Sequence, residues 1–179
     1  MDAAFDVIRN VINTNVPDEW DEARKVIQKE YAETLVLDYD TAYKTRSGLK
    51  SGEYLTSVIG CIVNELQLAM TYGTYHNGFN LATYRENVSP LFYGDDGIIS
   101  CSDVAFLKKN YYTIKQYLES IGHIITPGNK DGIETEEVKF ENLVFLKRNF
   151  VYYNNIVLAP LDKRSIESPF VYTQIPDLS

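Results

Sequence analysis

The stretch SPLFYGDDGIISCS, residues 89–102, sets two apolar runs on either side of a short polar turn, and that turn carries two adjacent carboxylates, Asp95 and Asp96. Side by side they repel each other, a cost that a neighbouring cation removes. Gly94 supplies backbone freedom where the chain reverses. The pattern predicts a β-hairpin over 90–101, with Leu91, Phe92, Ile98 and Ile99 seating both arms against a core. The tip is then fixed in space with two carboxylates projecting from it. Hard divalent cations, Mg²⁺ or Mn²⁺, accept such oxygen ligands and keep positions open for phosphate. Two such ions about 3.5–4 Å apart clamp the attacking and leaving oxygens of a phosphoryl transfer. Asp and Gly are also favoured turn residues, and an isolated GDD reads as nothing more. The apolar frame on both sides, with Tyr93 before the turn, tilts the reading towards function.

The rest of the composition narrows the class. The 179 residues suffice for one domain with a real core. Net charge is −8, which counts against a free-standing nucleic-acid-binding domain but not against one that holds divalent metal. Cys61 and Cys101 lie in apolar surroundings without ligand-like spacing. They read as buried free thiols of a reducing compartment. No apolar run approaches the roughly 20 residues of a membrane span, and the N-terminus lacks the pattern of a signal peptide.

Along the chain, Phe5, Ile8 and Ile12 predict a helix over 2–13. Pro17 opens a second helix with Trp20, Ala23, Ile27 and Tyr31 on one face. TLVLDYDTAYKT (34–45) reads as one or two short strands around a polar bend. A glycine-punctuated loop, 47–53, leads into a long, largely buried helix from Glu53 to Tyr72. Residues 73–88 are expected to be irregular, with one helical turn. After the hairpin comes a helix from Asp103, an N-cap, to about Ile121, ended by Gly122. HIIT is expected as a short strand and PGNKDGIETEE as a loop. LVFLKRNFVYYNNIVLAPL reads as strands turning at Asn154-Asn155, and the tail from 162 begins a further helix. His76 and His123 have no partner spacing and read as structural or exposed.

Four stretches in order then resemble one family. YGDD between apolar strands is similar to motif C of viral RNA-dependent RNA polymerases. SGLKSGEYLTSVIGCIVN (47–64) resembles motif B, GHIITPGNK (122–130) motif D, and FLKRNF (145–150) motif E. Their order and spacing follow the family over roughly residues 45–170. FLKR and TPxxK point to picorna-like positive-strand RNA viruses. The resemblance implies an α+β fold: the palm of a right-hand polymerase, a small antiparallel sheet backed by helices with an RNA-recognition-like core. It implies a truncated palm over 1–145, with the motif E hairpin and the start of the thumb over 146–179.

Three positions depart from the family. Motif A is a strand bearing DxxxxD, and LVLDYD (35–40) is a tempting match. Tyr43 and Thr45 stand where the second carboxylate belongs, and Asp40 is only eleven residues from Ser51. The segment is therefore read as the strand leading into motif B, and the chain as a fragment starting just after motif A. Gly60 stands where the family has an asparagine that senses the ribose 2′-hydroxyl, with Asn64 one turn further along the same face. It reads either as a packing glycine or as moved or impaired sugar recognition. Lys50 replaces a usual proline.

By resemblance, Asp95 is the main metal ligand, with Asp96 in support. Ser51, Gly52, Thr56 and Asn64 shape the region that positions template and nucleotide. Lys130 corresponds to the lysine that protonates leaving pyrophosphate, and Lys147 and Arg148 to the pair near the primer's 3′ end. Each has a bland alternative: a helix cap for the Ser-Gly pair, a solvated lysine, a charged edge-strand pair. The implied cofactor is Mg²⁺ or Mn²⁺. The implied partners are RNA template and primer, nucleoside triphosphates, and the rest of the viral polymerase or polyprotein, in replication complexes of the host-cell cytoplasm. Two other readings stand beside this one. A reverse transcriptase also carries Tyr-x-Asp-Asp, but Gly94 and motifs D and E argue against it. A non-catalytic RNA-recognition-like domain would show aromatic strands and a basic surface, of which only the aromatics are present.

Overall fold

A computed structural model describes residues 2–12, 19–46, 48–103, 106, 114–128 and 138–171. The chain divides into two compact units, Met1–Ser102 and Asp103–Ser179. The boundary expected at 145/146 falls inside the second.

The first unit begins with α1 (Asp2–Ile12), whose Ala4 is fully buried. Phe5 meets Tyr31 edge-on at 5.8 Å. Tyr31 belongs to α2 (Glu19–Ala32), and Gln28 of α2 donates to the Asp2 carboxylate at 2.7 Å. The start expected at Pro17 lies outside the described residues. The apolar face expected on α2 is not covered among the described residues: Trp20, Ala23 and Ile27 are exposed, and only Tyr31 is half-buried. The segment before motif B, expected as one or two short strands around a polar bend, is a hairpin, β1 (Leu35–Asp38) and β2 (Thr41–Lys44), turning through Tyr39 at φ +52°.

The long helix α3 runs from Thr56 to Tyr75, three residues later at each end than expected. Ile59, Leu68, Thr71 and Tyr72 are buried, while Val58 and Met70 are exposed. Most of the remaining residues of α3 are half-buried, so α1 and β3, which pack on it, cover it less completely than the expected largely buried helix. The irregular connection holds α4 (Leu81–Asn87), capped by Asn80, whose side chain accepts from the Thr83 N–H at 3.1 Å. Tyr84 is buried against Tyr72 and Phe79.

Helix α4 passes directly into β3 (Val88–Tyr93), which pairs antiparallel with β4 (Asp96–Cys101) from Val88↔Cys101 to Tyr93↔Asp96. Strand alternation corrects one expectation. Leu91 shares one face with its partner Ile98, and Phe92 and Ile99 lie on the other; Phe92, Ile98 and Ile99 are half-buried, whereas Leu91 is 56% exposed. Phe92 lies opposite Gly97, and its ring fills the place a Cβ there would occupy. The two cysteines are half-buried rather than buried.

In the second unit Asp103 accepts from the Phe106 N–H at 2.9 Å, the expected N-cap bond. Residues 114–120 are helical (α5). The helix ends as expected at Gly122, φ +88°, with Gly122 N–H on the Glu119 carbonyl and His123 N–H on the Leu118 carbonyl. HIIT forms no strand, since residues 123–126 join no ladder. Two tight hairpins follow: β5 (Val144–Phe145) with β6 (Arg148–Asn149), and β7 (Val151–Tyr153) with β8 (Ile156–Leu158). The second turns at Asn154-Asn155 as expected, and Asp162 caps the terminal helix α6 (Lys163–Val171) through the Ser165 N–H at 2.9 Å. The described strands thus form four two-stranded ladders rather than one continuous sheet.

Candidate functional site

The carboxylate tip is built by its turn. Gly94 and Asp95 are the two loop residues between the paired Tyr93 and Asp96. Gly94 takes φ +62°, whereas Asp95 is not left-handed, which fits the hairpin turn that needs glycine only at its first position. Asp95 and Asp96 are both exposed.

The turn rests on α3. A Cβ built on Gly60 would stand 3.0 Å from the Gly94 carbonyl oxygen, 3.1 Å from its Cα and 3.2 Å from its carbonyl carbon. Gly60 is thus packed closely against the turn, as its packing reading expects. One turn further on, Asn64 Nδ2 donates to the same Gly94 carbonyl at 2.7 Å. The Cys61 thiol donates to the Phe92 carbonyl at 3.3 Å. Between α4 and α3, the Tyr84 hydroxyl donates to Glu65 at 2.9 Å. Burial, then the Glu65 bond, pushes the Tyr84 phenol up, so it stays a donor.

The loop before α3 is held separately. Gly48 and Gly52 adopt φ +90° and +92°. The Lys50 ammonium donates to the Gly48 carbonyl at 2.7 Å, and the Thr56 hydroxyl donates to the Lys50 carbonyl at 2.6 Å. Leu55 is the residue that caps α3, without a side-chain bond, and Tyr31 accepts from its N–H at 2.9 Å. Ser51 is therefore not a helix cap and stands exposed with Gly52 in the loop. Thr56, Gly60 and Asn64 follow one another on one face of α3 at about 6 Å per step. The structure thus joins Asn64 directly to the carboxylate turn, with Thr56 on the same stripe and Ser51 and Gly52 just before it.

Lys147 and Arg148 lie in the second unit. Leu146 and Lys147 form the turn between β5 and β6, at φ +51° and +60°. The segment after β8 braces this turn: Asp162 N–H on the Lys147 carbonyl at 2.8 Å, Asn149 N–H on the Pro160 carbonyl at 3.0 Å, and the Arg148 guanidinium on the Ala159 carbonyl at 2.8 Å. Lys130 lies outside the described residues.

Two adjacent exposed carboxylates on a rigid turn are a fitting oxygen donor pair for a hard divalent cation. Among the described residues no third histidine, cysteine or acidic residue joins them in a metal-ligating cluster. Sequence reasoning missed Cys61 as a support of the hairpin and the Tyr84–Glu65 bond that ties α4 to α3. The one signal for a seat was a glycine within an otherwise apolar helix, at Gly60.

Comparison with known proteins accounts for this arrangement. The family model for viral RNA-dependent RNA polymerase matches residues 1–178. The chain is 48% identical over 172 residues to the replication polyprotein of Nora virus, covering 93% of this chain and 8% of that protein. It is 34% identical over 136 residues to the RNA1 polyprotein of Cycas necrotic stunt virus, covering 75% and 6%. The solved RNA-dependent RNA polymerase of a sicinivirus superposes with a TM-score of 0.69 at 21% identity, over 92% of this chain and 34% of that one. The chain thus spans under a tenth of these polyproteins and about a third of the solved polymerase. By family match, relatives and fold, the chain belongs to the viral RNA-dependent RNA polymerases, as a truncated α+β palm of the picorna-like type.

Proposed function

We propose that this chain is the metal-bearing part of an enzyme that joins nucleotides on an RNA template to replicate a viral genome. The observation that carries the reading is the Asp95–Asp96 pair on a two-residue turn braced by α3. Mg²⁺ or Mn²⁺, when bound, supplies charge neutralisation at the transferred phosphoryl group. Asp95 holds it with help from Asp96. Ser51 and Gly52, in the loop before α3, and Thr56, at its start, bound the space where template and incoming nucleotide are positioned. Lys130 donates a proton to the departing pyrophosphate, and Lys147 with Arg148 stands near the primer's 3′ end. The partners are then RNA, nucleoside triphosphates and the remainder of the polyprotein, in replication complexes of the host cytoplasm. No described helix is long and apolar enough to cross a membrane.

The test is primer extension by the full-length polymerase. Asp95→Asn is expected to abolish incorporation with an unchanged melting temperature. Near-normal extension by that variant refutes the assignment. Lys130→Leu is expected to lower the maximal rate about 10²–10⁴-fold with little change in nucleotide binding, as loss of a general acid does. A wild-type rate and pH profile would remove Lys130 from the site.

A further inference from the structure

The contacts between α3 and the hairpin turn do more than pack. The Gly94 carbonyl is met from two sides of one helix face. Gly60 leaves room for it, and Asn64 ties it at 2.7 Å. Gly94 directly precedes Asp95, so fixing its peptide fixes the start of the segment that carries both carboxylates. Two residues before Gly94, the Cys61 thiol holds the Phe92 carbonyl. The helix therefore controls the height and tilt of the turn through backbone atoms, without touching either carboxylate.

We infer that Asn64 is a positioning residue for the divalent-cation site, acting through the Gly94 carbonyl; this rests on the metal-binding role proposed for Asp95 and Asp96. One of its two amide N–H groups is given to the turn, and through that bond its contribution is to cation affinity. Hard cations demand narrow oxygen geometry, Mg²⁺ most of all. A turn freed from its tie presents its carboxylates over a wider range of positions and binds the ion less well. The same logic makes Gly60 a second control point, since any Cβ there pushes on the carbonyl that Asn64 holds.

The experiment uses the full-length polymerase with Asn64→Leu, which keeps side-chain bulk and removes the donor. Free Mn²⁺ is followed by electron paramagnetic resonance during titration, independently of catalysis. Affinity is expected to fall about fivefold to tenfold, the loss of one hydrogen bond's worth of fixation. The Mg²⁺ concentration for half-maximal incorporation rises in parallel. The preference for ribonucleotides over deoxyribonucleotides stays at the wild-type value. Wild-type Mn²⁺ affinity in the variant overturns the inference, and so does a loss of sugar preference with unchanged Mn²⁺ affinity. Where Asn64→Leu does not fold, Gly60→Ala takes its place: weaker Mn²⁺ binding supports the inference, and unchanged binding in a folded protein overturns it. A wild-type enzyme that binds Mn²⁺ yet incorporates no nucleotide refutes the polymerase reading separately.

Discussion

Replacing Gly60 by alanine sets two known effects against each other, and the structure decides the winner. In an open helix position alanine is favoured over glycine by about 1 kcal/mol. At Gly60 the new Cβ stands 3.0–3.2 Å from three backbone atoms of Gly94. Something must give by a few tenths of an ångström, and the partner is a backbone turn tied down by Asn64 rather than a free side-chain end. Overpacking of this kind costs about 1–3 kcal/mol. The net expectation is a loss of about 0–2 kcal/mol, with the turn displaced. Urea denaturation of the 179-residue chain reads the stability, and the amide resonances of Gly94 and Asp95 read the displacement. A gain of about 1 kcal/mol with unmoved resonances would refute the close seat, because it is the outcome of an uncrowded helix position.

Two further expectations concern the second unit. Leu146 and Lys147 sit in left-handed conformations that cost roughly 1–2 kcal/mol per residue for ordinary side chains. Replacing the pair by Asn-Gly should therefore stabilise the chain by about 1–3 kcal/mol; an unmoved or lower denaturation midpoint rejects this. Asp162 is held below the usual carboxylate range first by its side-chain bond from Ser165. A depressed pKa contributes stability that is full above the ordinary value of about 3.9 and is lost as pH falls through the lower folded value. Circular dichroism should show α6 loosening only in acid in the wild type, and that acid-dependent part should vanish in Asp162→Ala. Identical acid profiles for the two proteins would reject the cap.

How much of this was legible in the sequence depends on how local each cause is. The hairpin and its turn were readable because two apolar runs, Gly94 and the short polar turn between them all lie within twelve residues. The caps at Asp103 and Gly122 and the turn at Asn154-Asn155 are local in the same sense. HIIT was misread because β-branched residues suit a strand but do not supply a ladder partner. The face of α2 was misread because periodicity says which residues align, not whether anything covers them. Residues Asn64 and Gly60 were singled out, but their task was hidden, since it depends on a carbonyl thirty residues away.

Pro90 stands opposite Ile99, three positions from the ladder's final pair, Tyr93↔Asp96, by way of Leu91↔Ile98 and Phe92↔Gly97. Counting back from that hydrogen-bonded final pair, the backbone groups of Val88, Pro90 and Phe92 face the open side of β3, away from β4. On that side Val88 has given its N–H to the Tyr84 carbonyl, Pro90 has none, and the Phe92 carbonyl takes the Cys61 thiol. Only the Phe92 N–H remains as a donor, above an apolar groove of about 370 Å³ lined by Val7, Ile62 and Leu66. A strand laid along this edge must supply nearly all the donors itself. The edge is thus a poor template for indiscriminate aggregation, and it accepts only a neighbour whose register offers N–H groups opposite the Val88 and Pro90 carbonyls.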